Sequence, residues 1–126
     1  LTPEQDLRLR EKMQAIVATP LNGATSELVF AAKSYPPMSP TDANQALLAS
    51  LNDVNADLGL ETQPAFDPAK RGAADISFIA DRVDAALAGM GAAGSGAHGP
   101  DEQVDLNSIS RQAKRTAVLL TRLSRR

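Results

Sequence analysis

The chain has 126 residues, 43% of them hydrophobic, a formal net charge of −2, one histidine and no cysteine or tryptophan, enough apolar content for one small domain with an aliphatic core. The missing cysteines exclude a disulfide framework, a thiolate nucleophile and a cysteine-based zinc site. The slight acidity excludes a surface that seeks nucleic acid or anionic lipid throughout, and no apolar run approaches the length of a membrane span.

Thr2-Pro3-Glu4-Gln5 reads as a helix opening. Thr2 supplies the cap, Pro3 suits the first helical position and Gln5 completes a capping box. A chain opening directly on a helix cap, with no start methionine, is expected of a processed product or a piece of a longer protein. Leu9, Met13, Ile16 and Val17 recur at helical spacing and Pro20 ends the run. After an Asn22-Gly23 turn, Ser26 to Ser34 reads as a strand, with Leu28, Phe30 and Ala32 on one face and Val29 and Ala31 on the other. A strand apolar on both faces belongs in a larger sheet, so its partners must come from elsewhere. Tyr35-Pro36-Pro37-Met38-Ser39-Pro40 is then expected to be a boundary, because proline removes ladder donors and favours extended linkers.

Thr41 is expected to cap a second helix with Leu47, Leu51, Val54 and Leu58 as its buried stripe and Gly59 as its stop. Asp75 suits the cap of a short apolar turn, and amides ahead of it, beside Arg71, could form an anion nest. Val83 to Leu87 suits a short buried strand. The last helix starts at Asp105 or Ser108, with Ile109, Ala113, Thr116, Ala117, Leu120 and Leu123 on one side. Arg111, Lys114, Arg115, Arg122, Arg125 and Arg126 follow with no acid among them, a charge that complements the helix C-terminus.

The lone His98 lies in Gly91-Ala92-Ala93-Gly94-Ser95-Gly96-Ala97-His98-Gly99-Pro100-Asp101-Glu102. Glycine is costly to order, so this density implies a backbone that passes somewhere tight. Taken alone, the segment suits either a surface loop carrying a histidine or a metal ligand. A hydrolytic metal site needs three or more donors, and the nearby Asp101, Glu102 and Asp105 equally suit caps and dipole partners. No nucleophile elbow, phosphate loop or dinucleotide fingerprint is present.

The run Arg71-Gly72-Ala73-Ala74-Asp75-Ile76-Ser77-Phe78-Ile79, followed by Gly89 to Leu106, resembles the C-terminal end of a known family. It is that of the co-catalytic zinc exopeptidases, which include glutamate carboxypeptidase, aminoacylase and succinyl-diaminopimelate desuccinylase. There a Gly-Gly-(Thr/Ser)-Asp turn and a strand precede a Gly-x-Gly…His-(Ser/Gly)-x-x-Glu segment and a closing basic helix.

The resemblance implies a mixed α/β fold. Residues 39–126 would form the C-terminal part of the catalytic domain, and residues 1–38 the second half, helix plus strand, of an α+β lid or dimerisation domain. It implies that His98 binds one of two zinc ions and that Glu102 stands behind it or fixes the loop, rather than acting as a base. Gly72 and Ala73 match the turn near the substrate carboxylate, and Asp75 the turn aspartate. Arg71 stands where many relatives have glycine, so carboxylate binding and a plain surface role are equally open for it. The implied reaction is hydrolysis of an amide bond in a small peptide or N-acyl amino acid by a zinc-activated water. The implied assembly is a homodimer through the lid, with no nucleic acid or membrane partner. The other metal ligands and the general base are not found in this chain, which by itself is expected to be inactive. The alternative is a non-enzymatic module that binds a polyanion or partner protein through the basic last helix.

Overall fold

The computed structural model describes residues 2–31, 34–67, 72 and 74–125. The elements are α1 (Pro3–Val17), α2 (Asp42–Asp57), a short 3₁₀ turn (Asp75–Phe78), β1 (Gly94–Ser95), β2 (Gln103–Val104) and α3 (Leu106–Leu123). The fold is thus mixed, helices with a small two-stranded antiparallel sheet. The chain divides into two compact units, Leu1–Thr41 with Phe66–Asp84, and Asp42–Ala65 with Ala85–Arg126. Among the described residues no helix is long and apolar enough to cross a membrane.

In the first unit the capping box forms as the sequence predicts. The Thr2 amide donates to Gln5 Oε1 (2.9 Å), and the Gln5 amide donates to Thr2 Oγ1 (3.3 Å). The Glu4 carboxyl is held below the usual carboxylate range by backbone hydrogen bonding and then by the Thr2 side chain. The expected apolar stripe of α1 is not buried: Leu9, Met13 and Ile16 are all exposed. The strand expected over Ser26–Ser34 also does not form among its described residues. A strand exists through the neighbour that takes up its backbone groups, and no described segment pairs with this one. Side chains anchor it instead. The Arg10 guanidinium lies 4.7 Å from the Phe30 ring centre, and also donates to Asp6 Oδ2 (2.8 Å) and Ser34 Oγ (3.1 Å).

The second unit carries every fully buried side chain among the described residues. Helix α2 stops at Gly59, whose φ of +65° any other residue would adopt only at a cost. The Leu60 amide donates to the Asn55 carbonyl (2.8 Å) and the Gly59 amide to that of Ala56 (3.1 Å), closing a Schellman motif. Beyond it, Asn52 holds Gln63 at both backbone groups, at 2.8 and 2.9 Å.

Helix α2 packs on α3 around Leu51, Val54 and Leu119, flanked by Leu48, Leu87, Met90, Val118 and Leu123. The inward row of α3 is therefore Ser108, Arg115 and Leu119, about one residue, or 100°, around the helix from the expected stripe. Of that stripe Leu123 does pack on the core, whereas Ile109 (51%) and Leu120 (60%) are open. The inward side also carries polar groups that the periodicity ignores. The Ser108 hydroxyl is drawn inward by backbone partners, and Arg115 buries its stem while its Nη1 donates to Gln112 Oε1 (2.7 Å). Arg122 pairs with Asp57 across the two helices. No strand forms over Val83–Leu87. Ala86 is buried there, and its amide donates to the side-chain oxygen of Asn44 (2.7 Å) instead of to a ladder.

The rotated register has a direct test. Leu119→Ala should lower the unfolding free energy in urea by about 2–5 kcal/mol through cavity formation. Leu120→Ala should change it by less than about 0.5 kcal/mol. Equal effects would restore the register expected from periodicity.

Candidate functional site

His98 stands in the loop between β1 and β2. The strands pair antiparallel, Gly94 opposite Val104 and Ser95 opposite Gln103. Two glycines make this possible. A Cβ at Gly94 would overlap the Gln103 carbonyl oxygen, and one at Gly96 would lie 2.8 Å from that of Asp101. Gly96 also has a φ of +67°. Gly89 and Gly91 meet nothing nearby, so the tight passage that the glycine density implies lies at Gly94 and Gly96 and, less closely, at Gly99, where a Cβ would lie 3.1 Å from the Gly96 carbonyl oxygen. The Gly99 amide returns to the Gly96 carbonyl (2.9 Å), and the Glu102 amide to that of Gly99 (3.3 Å).

At the centre of this turn His98 has a φ of +65°, the only positive value at a non-glycine residue among those described. Left-handed backbone costs an L-residue roughly 1–2 kcal/mol, and such strain persists only where surrounding bonds fix it. The imidazole is exposed, as are Asp101 and Glu102.

The base of the loop is tied to the start of α3. The Asp105 amide donates to the Ala93 carbonyl (2.9 Å), and the Ala93 amide donates to Ser108 Oγ (2.8 Å). The Ser108 hydroxyl in turn donates to the Asp105 carbonyl (2.6 Å). Asp105 is the cap of α3: Oδ1 accepts from the Asn107 amide (3.0 Å), and Oδ2 pairs with Arg111 (3.3 Å).

The other singled-out residues belong to the first unit. Gly72 is exposed, while Arg71 and Ala73 lie outside the described residues, as does the nest expected beside Arg71. Asp75 does not cap its turn as expected; the cap position is Ala74, with no side-chain bond. The Asp75 carboxylate instead accepts the Tyr35 hydroxyl (2.9 Å), and the Tyr35 ring meets Phe78 at 5.0 Å. This hydrogen bond and the carboxylate charge push the Tyr35 phenol up. Ser108, read only as a possible helix start, and Tyr35, read only as part of a boundary, were not given these roles from the sequence, because the partners Ala93 and Asp75 lie 15 and 40 residues away.

Among the described residues no group of three or more His, Asp and Glu side chains converges on one point. Imidazole suits zinc and similar divalent ions, so the residues present fit a single donor to a metal and do not form a complete site.

A family model described as Peptidase family M20/M25/M40 matches residues 8–122. The chain belongs to that family. No curated protein and no solved structure matches it.

Two measurements test these local structures. Gly94→Ala should destabilise the β1–β2 pair by about 1–3 kcal/mol and raise hydrogen exchange at Val104, while Gly91→Ala should be silent. The chain has one tyrosine and no tryptophan, so phenolate absorbance reports Tyr35 alone. Its midpoint should lie above the ordinary value of about 10 and fall back towards it in Asp75→Asn. A raised folded-state value means that this contribution to stability is present below the unfolded value. It is lost as pH rises through the folded one, an alkaline window.

Proposed function

We propose that this chain supplies His98 as one ligand of a two-zinc centre in a carboxypeptidase-like enzyme. The reaction is hydrolysis of the amide bond of a small peptide or N-acyl amino acid. The family supports the peptidase class. The observation that supports His98 is its exposed imidazole on a backbone held at φ +65° by a glycine-shaped, doubly tethered loop. Zinc, when bound, supplies Lewis acidity towards a carbonyl and a water.

This chain's own part is to present one imidazole nitrogen at a fixed point, with Glu102 on the same loop steadying its environment. By the resemblance, Gly72 and Ala73, with Arg71 as a further candidate, would bind the substrate carboxylate. Residues 1–38 belong to a lid that pairs two subunits, and residues 39–126 to the catalytic domain. Because no three His, Asp or Glu side chains converge among the described residues, this reading takes the remaining ligands and the general base from other residues and gives the segment alone no turnover.

The basic face of α3 does not favour polyanion binding. Arg111 and Arg122 are already paired with Asp105 and Asp57, and Arg115 is buried. No aromatic side chain lies on α3 for bases to stack on.

The test is His98→Ala in the intact gene product, assayed on N-acyl amino acids and dipeptides with metal content measured in parallel. A loss of at least about 10²-fold in kcat/KM with less bound zinc is expected, on the scale of removing one essential electrostatic group. Unchanged zinc content and unchanged turnover would remove His98 from the centre.

A further inference from the structure

We infer that Ser108 is a positioning residue for His98, setting the loop's geometry from inside α3. The inference builds on the reading of His98 as a ligand. Ser108 is fully buried, and its hydroxyl both accepts and donates a hydrogen bond. It accepts from the Ala93 amide at 2.8 Å and donates to the Asp105 carbonyl at 2.6 Å. The Ser108 amide also donates to that carbonyl, at 3.0 Å.

Ala93 is thus pinned at both ends of its backbone, its carbonyl by the Asp105 amide and its amide by the Ser108 hydroxyl. The next residue opens β1, and Asp105 directly follows β2. The three bonds therefore close the base of the loop whose turn carries His98. Only a small side chain with a donor and an acceptor fits a fully buried point between two backbone segments. Alanine at 108 would take from the Ala93 amide its part-buried partner, although Ala93 itself is exposed. Ala93 would then be held through its carbonyl alone, and the strained φ of His98 would lose part of the frame that holds it.

The test is solution NMR of the 126-residue chain, free of metal, comparing the unaltered chain with Ser108→Ala. In the unaltered chain the Ala93 and Asp105 amides should be protected from hydrogen exchange to the same degree, because they open in one event. In Ser108→Ala the Ala93 amide should exchange roughly tenfold faster or more. The His98 backbone shifts should leave their left-handed signature, while the signals of Val54 and Leu119 stay in place.

A freed Ala93 amide with unchanged His98 shifts would overturn the positioning role and leave Ser108 a helix residue only. Should Ser108→Ala fail to fold, exchange in the unaltered chain decides: an unprotected Ala93 amide beside a protected Asp105 amide overturns the clamp. No metal enters either measurement. Failure here is thus separate from failure of His98 to bind zinc, which the intact gene product reports.

Discussion

The packing of α2 on α3 through Leu51, Val54 and Leu119 is the constraint from which the rest of the second unit follows. It fixes which side of α3 faces inward and so brings Ser108 to the buried end of the same row as Arg115 and Leu119. With Ser108 inside, the backbone of Ala93 has a partner, the two short strands can meet, and the loop bearing His98 has a defined root. Weakening the aliphatic contact would therefore reach the histidine through the helix that carries its clamp. The route is apolar burial first, then a few hydrogen bonds whose geometry the burial sets.

That core is small, and its composition explains why polar groups decide so much. Among the described residues four apolar ones are buried, Leu51, Val54, Ala86 and Leu119, alongside the polar Asn55, Ser108 and Arg115. Where aliphatic burial is thin, a hydroxyl with two backbone partners carries comparable weight, since an unmade buried hydrogen bond costs about as much as a lost methyl group or two. Two buried atoms, Asn55 Oδ1 and Arg115 Nε, have no partner among the described residues. Meanwhile α1 and the outer side of α3 expose Ile16, Ile109 and Leu120. The chain carries more amphipathic surface than its described residues cover.

The sequence was legible where the information is local. The Thr2-Pro3-Gln5 capping box and the Gly59 stop depend on groups within five residues and form as read, and of the two starts open for the last helix, Asp105 and Ser108, the cap is Asp105. The glycine spacing around His98 was legible in part: Gly94 and Gly96 are required by close backbone approach, whereas Gly91 is not. The motif from Arg71 to Leu106 was enough to indicate the peptidase family that the family model then matched. It was not enough to place Arg71 and Ala73, which lie outside the described residues.

Readings that needed a distant partner fared worse. Asp75 has the chemistry of a cap, yet its carboxylate goes to Tyr35, 40 residues away. The segment from Ser26 has strand-like residues but no neighbour to pair with among the described residues. By itself, then, the sequence determined the helices, their ends, the glycine-shaped loop and the family, because capping, periodicity and φ are settled by near neighbours. Tertiary structure alone decided which face of α3 is inside, that Ser108 anchors the His98 loop, and where Asp75 and Ala86 find their partners. Those outcomes depend on which long-range contacts satisfy buried polar groups, and no local pattern encodes that.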